Sequence, residues 1–586
     1  MTVEKNRLVL KIGGEAGYGI MSAGQAFAKL CTRAGLFAYT HTEYPSLVRG
    51  GHNVFAIRVE EKDIKCPIVQ VNLLVALNKQ TIEKHKDELT HAGGIIYDGE
   101  EVNIDELNIR PDIKLFNVPL LKIVQEAKGI KVMRNSVSLG AAMAVLDADF
   151  KLLKESITSA KKKSQKVATI MEQNIKVAKE GYDYIKNNYP EEFQVKLVPV
   201  LKQPKRMLLT GNTALSLGAI KAGCQFHAQY PMTPSSSILH YLVSKEHEFN
   251  MVVKHAEDEI SAINMAIGAG FSGVRSMTAT SGGGLALMTE SVSLAGSSET
   301  PIVIVNCQRP GPGTGLPTRQ GQEDLKFVLN IGHGEFPKVV VAPGDTTECF
   351  YETFNAFNLA DKYQLPVLIV SDKHLASCNE TIEPFDTKDL KIDRGLLLSN
   401  EEAKKQEDYR RYKVTESGIS PRAIPGQKNC RFRASSDEHD EFGDIEESIQ
   451  NRVDQMDKRM RKMDLVLKDI PVPKVYGPKK ADVTIVSWGS TKQAILEAME
   501  YLKVDGITAN FLQMMYIHPF HSAFVKEFLE SSQKVVLIEG NKTAQLGGII
   551  RENTSFEIKH QILKYDGRTF FPSTIYDQIK EIHKNG

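Results

Sequence analysis

Two stretches decide the fold: His255-Ala256-Glu257-Asp258-Glu259-Ile260 and, further on, Ser276-Met277-Thr278-Ala279-Thr280-Ser281-Gly282-Gly283-Gly284. In the first, acidic residues crowd a helix start, where the helix dipole favours negative charge. Ile260, Ile263, Ile267 and Phe271 then recur at helical spacing and predict one apolar face. Ala262, Ala266, Gly268, Ala269 and Gly270 allow close approach of a neighbour. The second stretch reads as a strand that ends in a Thr-Ser-Gly loop. Acid at a helix start, small-residue helix, strand and glycine loop form one ordered set, the signature of an α/β layer.

Immediately upstream lies Tyr230-Pro231-Met232-Thr233-Pro234-Ser235-Ser236-Ser237-Ile238. Two prolines hold Thr233 out of helix, and the serines are expected to cap a helix from about Ser237. A threonine hydroxyl fixed in this way can bond a ligand, although a rigid loop with a helix cap accounts for the same residues. Downstream, the buried-strand pattern Ile302–Val305 runs into Cys307-Gln308-Arg309-Pro-Gly-Pro-Gly-Thr314-Gly-Leu-Pro-Thr318-Arg319-Gln-Gly-Gln-Glu-Asp324. Two arginines thus sit at a strand end, where open α/β sheets bind ligands. Arginine gives always-charged, bidentate recognition of carboxylates. The competing reading is a pair of surface arginines on a turn-rich loop.

Working outward, residues 1–190 form a separate α/β domain. Leu8–Ile12, the turn Gly13-Gly14-Glu15-Ala16-Gly17-Tyr18-Gly19 and a helical pattern from Ile20 to about Ala34 make a strand–turn–helix unit, and Val54–Val59 and Val71–Ala76 add strands. The glycine spacing is not GxGxxG, so close helix–strand packing explains it as well as a nucleotide does. A polar, lysine-rich helical stretch at 150–188 closes this domain, and a proline-flanked linker follows. The second domain, 205–385, alternates strands and helices and predicts a mostly parallel sheet with helices on both faces. A charged connector spans 386–472, with a helix expected at about 444–468. A third α/β unit, 473–586, carries strands at Val483–Ser487 and Val535–Ile538 and a helix at about 491–503.

The chain has 586 residues, too many for one core. It is 42% apolar and 25% charged with a formal net charge of +1, which excludes a strong global attraction to nucleic acid or a membrane surface. No apolar run approaches the roughly 18 residues that span a bilayer. The start, MTVEKNRLVLKIGG, enters a strand pattern without the apolar segment of a secretion signal, so a cytoplasmic location is expected. The seven cysteines are scattered with no Cys-x-x-Cys pair, so this chain shows neither a zinc nor an iron–sulfur signature, and no metal ligands are assigned.

The acid–helix–strand–loop set resembles the pyrimidine-binding domain of thiamine-diphosphate enzymes. The resemblance implies that a helix glutamate hydrogen-bonds the aminopyrimidine and promotes its imino tautomer. The family pattern has a glycine nine residues after that glutamate; Glu259 with Gly268 fits and Glu257 does not, so Glu259 is the expected catalytic acid. Over nearly its full length the chain resembles the 2-oxoacid:ferredoxin oxidoreductases. Tyr230–Ser236 is close to their signature loop, which implies that Thr233 contacts the keto acid and that Tyr230, Pro231, Thr280, Ser281 and Glu259 line the cofactor. Arg309 matches the position that holds the substrate 1-carboxylate. Arg319 matches one tied to 2-oxoglutarate recognition. Here the loop reads Pro-Gly-Thr-Gly where the family usually has Pro-Ser-Thr-Gly.

Gly332-His333-Gly334-Glu335-Phe336-Pro337 also resembles the 2-oxoglutarate type. With Arg319 it makes 2-oxoglutarate the expected substrate; pyruvate or a broad 2-oxoacid range is the alternative. The N-terminal domain, with Glu43-Tyr-Pro-Ser-Leu-Val-Arg49-Gly-Gly, resembles the family's gamma domain. Residues 473–586, with Ile538-Glu-Gly-Asn541 and Gln545-Leu-Gly547, resemble a transketolase C-terminal domain. The Gly-Asp-Gly that holds diphosphate and Mg²⁺ in such enzymes is absent, since Gly344-Asp345 and Gly443-Asp444 lack the second glycine. The resemblance therefore implies a beta subunit that carries the diphosphate, Mg²⁺ and a [4Fe–4S] cluster. It also implies coenzyme A as co-substrate, ferredoxin as acceptor and an (αβ)2 assembly. A non-catalytic assembly subunit and a transketolase-like transferase are the competing classes.

Overall fold

The computed structural model describes residues 3–47, 50–158 and 165–585. Arg49 of the gamma-type motif and the lysine run at 161–163 lie outside the described residues. The chain divides into two compact units, one of Met1–Leu209 with Ser377–Phe385 and one of Thr210–Ala376 with Asp386–Gly586.

The first unit is built on an eight-stranded sheet. Its central strand, Leu8–Glu15, pairs antiparallel with His52–Glu60 and parallel with Val71–Ala76. The glycine turn follows this strand and leads into the helix Ile20–Arg33, whose Phe27, Ala28 and Cys31 are fully buried. The lysine-rich stretch is helical over Gln165–Asn188. It packs on Arg134–Val145 at backbone distance: a Cβ on Gly140 would lie 1.8 Å from the Ala178 carbonyl oxygen. Only glycine allows that approach. The segment Ser377–Phe385, read from the sequence as the end of the second domain, adds the strand Asn379–Ile382 to this sheet beside Phe37–Glu43.

The second unit holds a seven-stranded sheet in the order Val252–His255, Phe226–Gln229, Ser276–Thr280, Ile302–Gln308, Pro366–Asp372, Val339–Val341, Tyr516–His518. The first six are parallel and the last antiparallel. Phe226–Gln229 has the next strand of the chain on one side and the one after that on the other, so the strand order reverses there. Crevices at such reversal points, outside the carboxyl ends of the strands, are where these sheets bind ligands. Residues 473–585 form a five-stranded sheet, and their strand Tyr516–His518 closes the larger one. Both sheets share one apolar core that joins Ile304 and Val370 to Trp488, Leu512 and Leu537.

The charged connector carries the helix Ile449–Asp469. Lys458 and Lys462 on this helix both ion-pair with Glu299, and all three side chains are fully buried. Arg411 Nη2 donates to the Glu299 carbonyl at 2.8 Å. A buried charge is tolerated only when it is paired, so this cluster fixes the connector to the sheet domain at one position.

Candidate functional site

Four strands of the second unit end in the residues singled out by sequence. Phe226–Gln229 runs into Tyr230–Ser235, Val252–His255 into Asp258-Glu259, Ser276–Thr280 into Ser281–Gly284, and Ile302–Gln308 into Arg309. Glu259 is the first residue of the helix Glu259–Phe271. Its neighbour Asp258 is the N-cap, and its carboxylate accepts from Ser261 N at 2.7 Å. The cap satisfies the helix end, so Glu259 is free to point elsewhere. It is 3% exposed, and its Oε1 has no hydrogen-bond partner among the described residues. Glu257 is exposed.

Glycine makes the room for this carboxyl. A Cβ on Gly284 would lie 2.6 Å from Glu259 Oε1 and 2.1 Å from Thr280 Oγ1. Glu259 and Thr280 therefore both press on Gly284. Ser281 Oγ is also buried without a partner. Buried polar atoms are nearly always hydrogen-bonded, and orphans mark strain or a missing ligand.

The Tyr230–Ser235 loop is braced from beneath. His227 Nε2 lies 2.9 Å from Gln229 Oε1, Gln229 Nε2 donates to Ser235 Oγ at 3.0 Å, and that hydroxyl donates to the Met232 carbonyl at 2.7 Å. Burial lowers the His227 imidazole to about 4, so it is neutral. Asn212 Nδ2 donates to the Pro234 carbonyl at 2.9 Å and to Ser237 Oγ at 2.8 Å. The serines thus do not cap as expected. The helix starts at Ser236, and Ser235, in the N-cap place, makes no cap bond because its hydroxyl is committed to the loop. Tyr230 is 38% exposed with its ring 6.4 Å from that of His255.

Arg309 meets this loop directly, since its Nη1 donates to the Thr233 carbonyl at 2.8 Å. Burial pulls the guanidinium below its ordinary value, and Asp324 counteracts this. The arginine loop is folded on itself, with Gly311 N donating to Glu323 Oε2 at 2.8 Å. It is also held by the C-terminal segment. Gln322 exchanges backbone and side-chain bonds with Gly540 at 2.8 and 2.9 Å, Asn541 Nδ2 donates to the Gln322 carbonyl at 3.0 Å, and Gln545 Nε2 donates to the Glu323 carbonyl at 2.6 Å. Both C-terminal motifs therefore act on the loop that presents the arginines. Arg319 lies in that loop, and its β-carbon is 3.3 Å from where a Cβ on Gly567 would sit.

Two expectations change. Ile260 is 48% exposed; the buried side of the helix is Ala262, Ile263, Ala266, Ile267 and Gly270, and a Cβ on Gly268 would meet nothing within 4 Å. The second concerns Gly282–Gly284: read as a loop after the strand, these glycines form the first turn of the helix Gly282–Leu287. Gly332–Pro337 enters the strand Val339–Val341 at its amino end, with Phe336 packed on Gly296 and His333 N bonded to Ser293 Oγ at 2.9 Å. Conversely, Asn306, Asp324 and the His227–Gln229–Ser235 brace went unnoticed. Asp324 stood inside the quoted arginine motif; a buried Asn in a strand of apolar residues was the available signal for Asn306.

Among the described residues, no helix is long and apolar enough to cross a membrane. Residues 9–184 match the family model described as pyruvate ferredoxin/flavodoxin oxidoreductase, 217–458 that of its thiamine-diphosphate-binding domain, and 475–567 the transketolase C-terminal domain. The chain is 33% identical to the 2-oxoacid:ferredoxin oxidoreductase subunit alpha of a Sulfolobus species, over 99% of this chain and 98% of that one. It is 32% identical to the 2-oxoglutarate synthase subunit KorA of Methanothermobacter thermautotrophicus, over 64% of this chain and 98% of the relative. The solved 2-oxoglutarate:ferredoxin oxidoreductase of Magnetococcus marinus, with 2-oxoglutarate, coenzyme A and succinyl-CoA bound, superimposes with a TM-score of 0.90 at 32% identity, over 99% of this chain and 100% of that one.

Proposed function

Because the chain belongs to the alpha subunits of the 2-oxoacid:ferredoxin oxidoreductases, we propose that it carries the thiamine and substrate half of an enzyme that converts 2-oxoglutarate, coenzyme A and oxidised ferredoxin to succinyl-CoA, carbon dioxide and reduced ferredoxin. The solved relative that binds 2-oxoglutarate and succinyl-CoA, and shares nearly the whole fold, supports this choice of substrate. Thiamine diphosphate, when bound, supplies the carbon nucleophile and electron sink that a 2-oxoacid needs to lose CO₂. The residues present fit its pyrimidine end. Glu259 offers an unpartnered carboxyl oxygen inside a glycine cradle, beside Thr280 and Ser281.

Each residue is given the task that its match to the family motif implies. Glu259 hydrogen-bonds the pyrimidine ring and moves a proton at that ring nitrogen, a role suited to a carboxyl held out of water. Tyr230 and Pro231 form the lip of the same crevice. Thr233, braced through Ser235 and Arg309, faces the keto acid with its hydroxyl. Arg309 takes the 1-carboxylate with the guanidinium edge not used on Thr233. Arg319 takes the distal carboxylate. With no Gly-Asp-Gly in this chain, the diphosphate, Mg²⁺ and the [4Fe–4S] cluster belong to a beta subunit, and the expected assembly is (αβ)2.

The single observation that carries the reading is the orphaned Glu259 oxygen over Gly284 at the strand reversal point. The test is co-production with the beta subunit and an assay of coenzyme A-dependent reduction of a low-potential dye with 2-oxoglutarate and with pyruvate. Arg319→Ala is expected to lose 2-oxoglutarate turnover and keep whatever pyruvate turnover exists. Equal loss of both would remove Arg319 from substrate choice, and no turnover of any 2-oxoacid by the intact complex would sink the reading itself.

A further inference from the structure

Among the described residues, four aspartates of the second unit immediately precede a helix, and three of them cap it. Asp258 accepts from Ser261 N at 2.7 Å, Asp345 from Glu348 N at 2.8 Å and Asp372 from Leu375 N at 3.0 Å. Asp324, before the helix Leu325–Leu329, makes no cap bond. Forgoing a cap costs about 1 kcal/mol, so something else holds this side chain. It turns back toward the strand ends, where Asn306 Nδ2 donates to Asp324 Oδ2 at 3.1 Å and a Cβ on Gly282 would lie 2.4 Å from that same oxygen. Its own backbone N–H is satisfied by Gln308 Oε1 at 3.0 Å.

Asn306 is fully buried, and its Oδ1 has no partner among the described residues. Its strand register places it opposite Thr280, which presses on Gly284 beside Glu259. The two carboxyls therefore border the two ends of one glycine turn, with Glu259 at Gly284 and Asp324 at Gly282. On the other side Asp324 faces Arg309 and its chain neighbour Glu323.

We propose that Asp324 is a positioning residue of the 2-oxoacid site, holding Asn306 against the Thr280–Gly284 turn and setting the charge that a substrate carboxylate meets beside Arg309. This rests on the function proposed above. Charged, Asp324 offsets the Arg309 guanidinium and weakens its hold on a carboxylate; protonated, it leaves Arg309 at full strength. Burial raises the Asp324 carboxyl above the ordinary range, with Glu323 adding to the shift and Asn306 and Arg309 opposing it. The charge on the substrate side of Arg309 then depends on pH, with Glu323, bonded to Gly311 N, and Glu259, at Gly284, as the other acids nearby.

The test uses the intact complex with its beta subunit and follows KM and kcat for 2-oxoglutarate against pH, with the melting temperature of each variant. The wild-type KM is expected to rise as pH climbs through the Asp324 titration. Asp324→Asn keeps the bond to Asn306 with no charge, so the rise disappears and kcat stays within about threefold. Asp324→Ala releases Asn306, and kcat falls by about tenfold, the scale of one well-placed polar contact. The inference is overturned if Asp324→Asn keeps the wild-type KM profile. It is equally overturned if Asp324→Ala keeps wild-type kcat, or if both variants lose the same activity alongside the same drop in melting temperature, the mark of a purely structural residue. A wild-type complex that turns over no 2-oxoacid defeats the underlying function instead, and that result is visible before any variant is made.

Discussion

The molecule contains two strand–glycine turn–helix units that look alike in sequence and differ in what surrounds them. In the first unit, Leu8–Glu15 passes through Gly13–Gly19 into the helix Ile20–Arg33. In the second, Ser276–Thr280 passes through Ser281 into the helix Gly282–Leu287, whose first turn is the three glycines. Around the first turn Gly13, Gly14 and Gly19 are consumed by packing. Gly19 has φ 75° and its carbonyl accepts from Asn135 Nδ2 at 3.1 Å, while a Cβ there would sit 2.0 Å from that nitrogen. Around the second turn the space that glycine opens is filled by a carboxyl whose oxygen no neighbour satisfies. Glycine spacing alone does not separate a packing turn from a ligand turn; the state of the polar atoms beside it does.

The largest effect should come from the orphaned carboxyl. Glu259→Gln removes the proton exchange while keeping size and burial, and turnover of the complex should fall by about 10²–10⁴-fold, the usual share of a general acid–base group. Stability of the subunit should hold or rise, since an unpartnered buried carboxyl costs free energy to fold around. Parallel dye-reduction kinetics and calorimetry check both halves. A variant with intact turnover would falsify the assignment of the second turn as the ligand turn.

Adding one methyl to each turn sharpens the contrast. Gly284→Ala pushes a carbon into Glu259 and Thr280, and misplacement of the carboxyl by about 1 Å should cost on the order of 10²-fold in turnover. Gly19→Ala instead strains a left-handed residue and displaces Asn135. It should cost about 1–3 kcal/mol of stability and leave the KM for 2-oxoglutarate unchanged. If Gly19→Ala moved that KM while the melting temperature stayed put, the first turn would have to be reassigned to ligand binding.

This contrast also explains what the sequence could and could not say. The small-residue helix and the strand after it were legible because they are local in the chain and follow helical or strand periodicity; Glu259 was singled out from its acidic neighbours only by the family's spacing to Gly268. The partnership of Thr233 with Arg309 was not, because their contact runs through a carbonyl that any residue would supply. Nor was the work of Ile538–Asn541 and Gln545, which hold the loop at Gln322 and Glu323 from far along the chain. Nor was the exposure of Ile260. Spacing defines a helical face but not its width, and the neighbours of the Glu259–Phe271 helix cover Ile263 and Ile267 without reaching Ile260.

The smallest and most discriminating test lies one residue from the largest. Asp258 and Glu259 are adjacent acids at the same helix start, and the structure divides their labour: Asp258 caps Ser261 N at 2.7 Å, and Glu259 Oε1 has no partner among the described residues. Asp258→Ala should cost about 1 kcal/mol of stability, the value of a cap, and Asp258→Asn only a few tenths because its amide oxygen still accepts. Because the cap sets where the first helical turn begins, the alanine variant should also lower turnover modestly, by less than about tenfold, in step with its stability loss. If asparagine and alanine instead matched Glu259→Gln in activity while melting like wild type, Asp258 would be a second working acid. The division between a helix end that is satisfied and a site that is left open would then not run between these two residues.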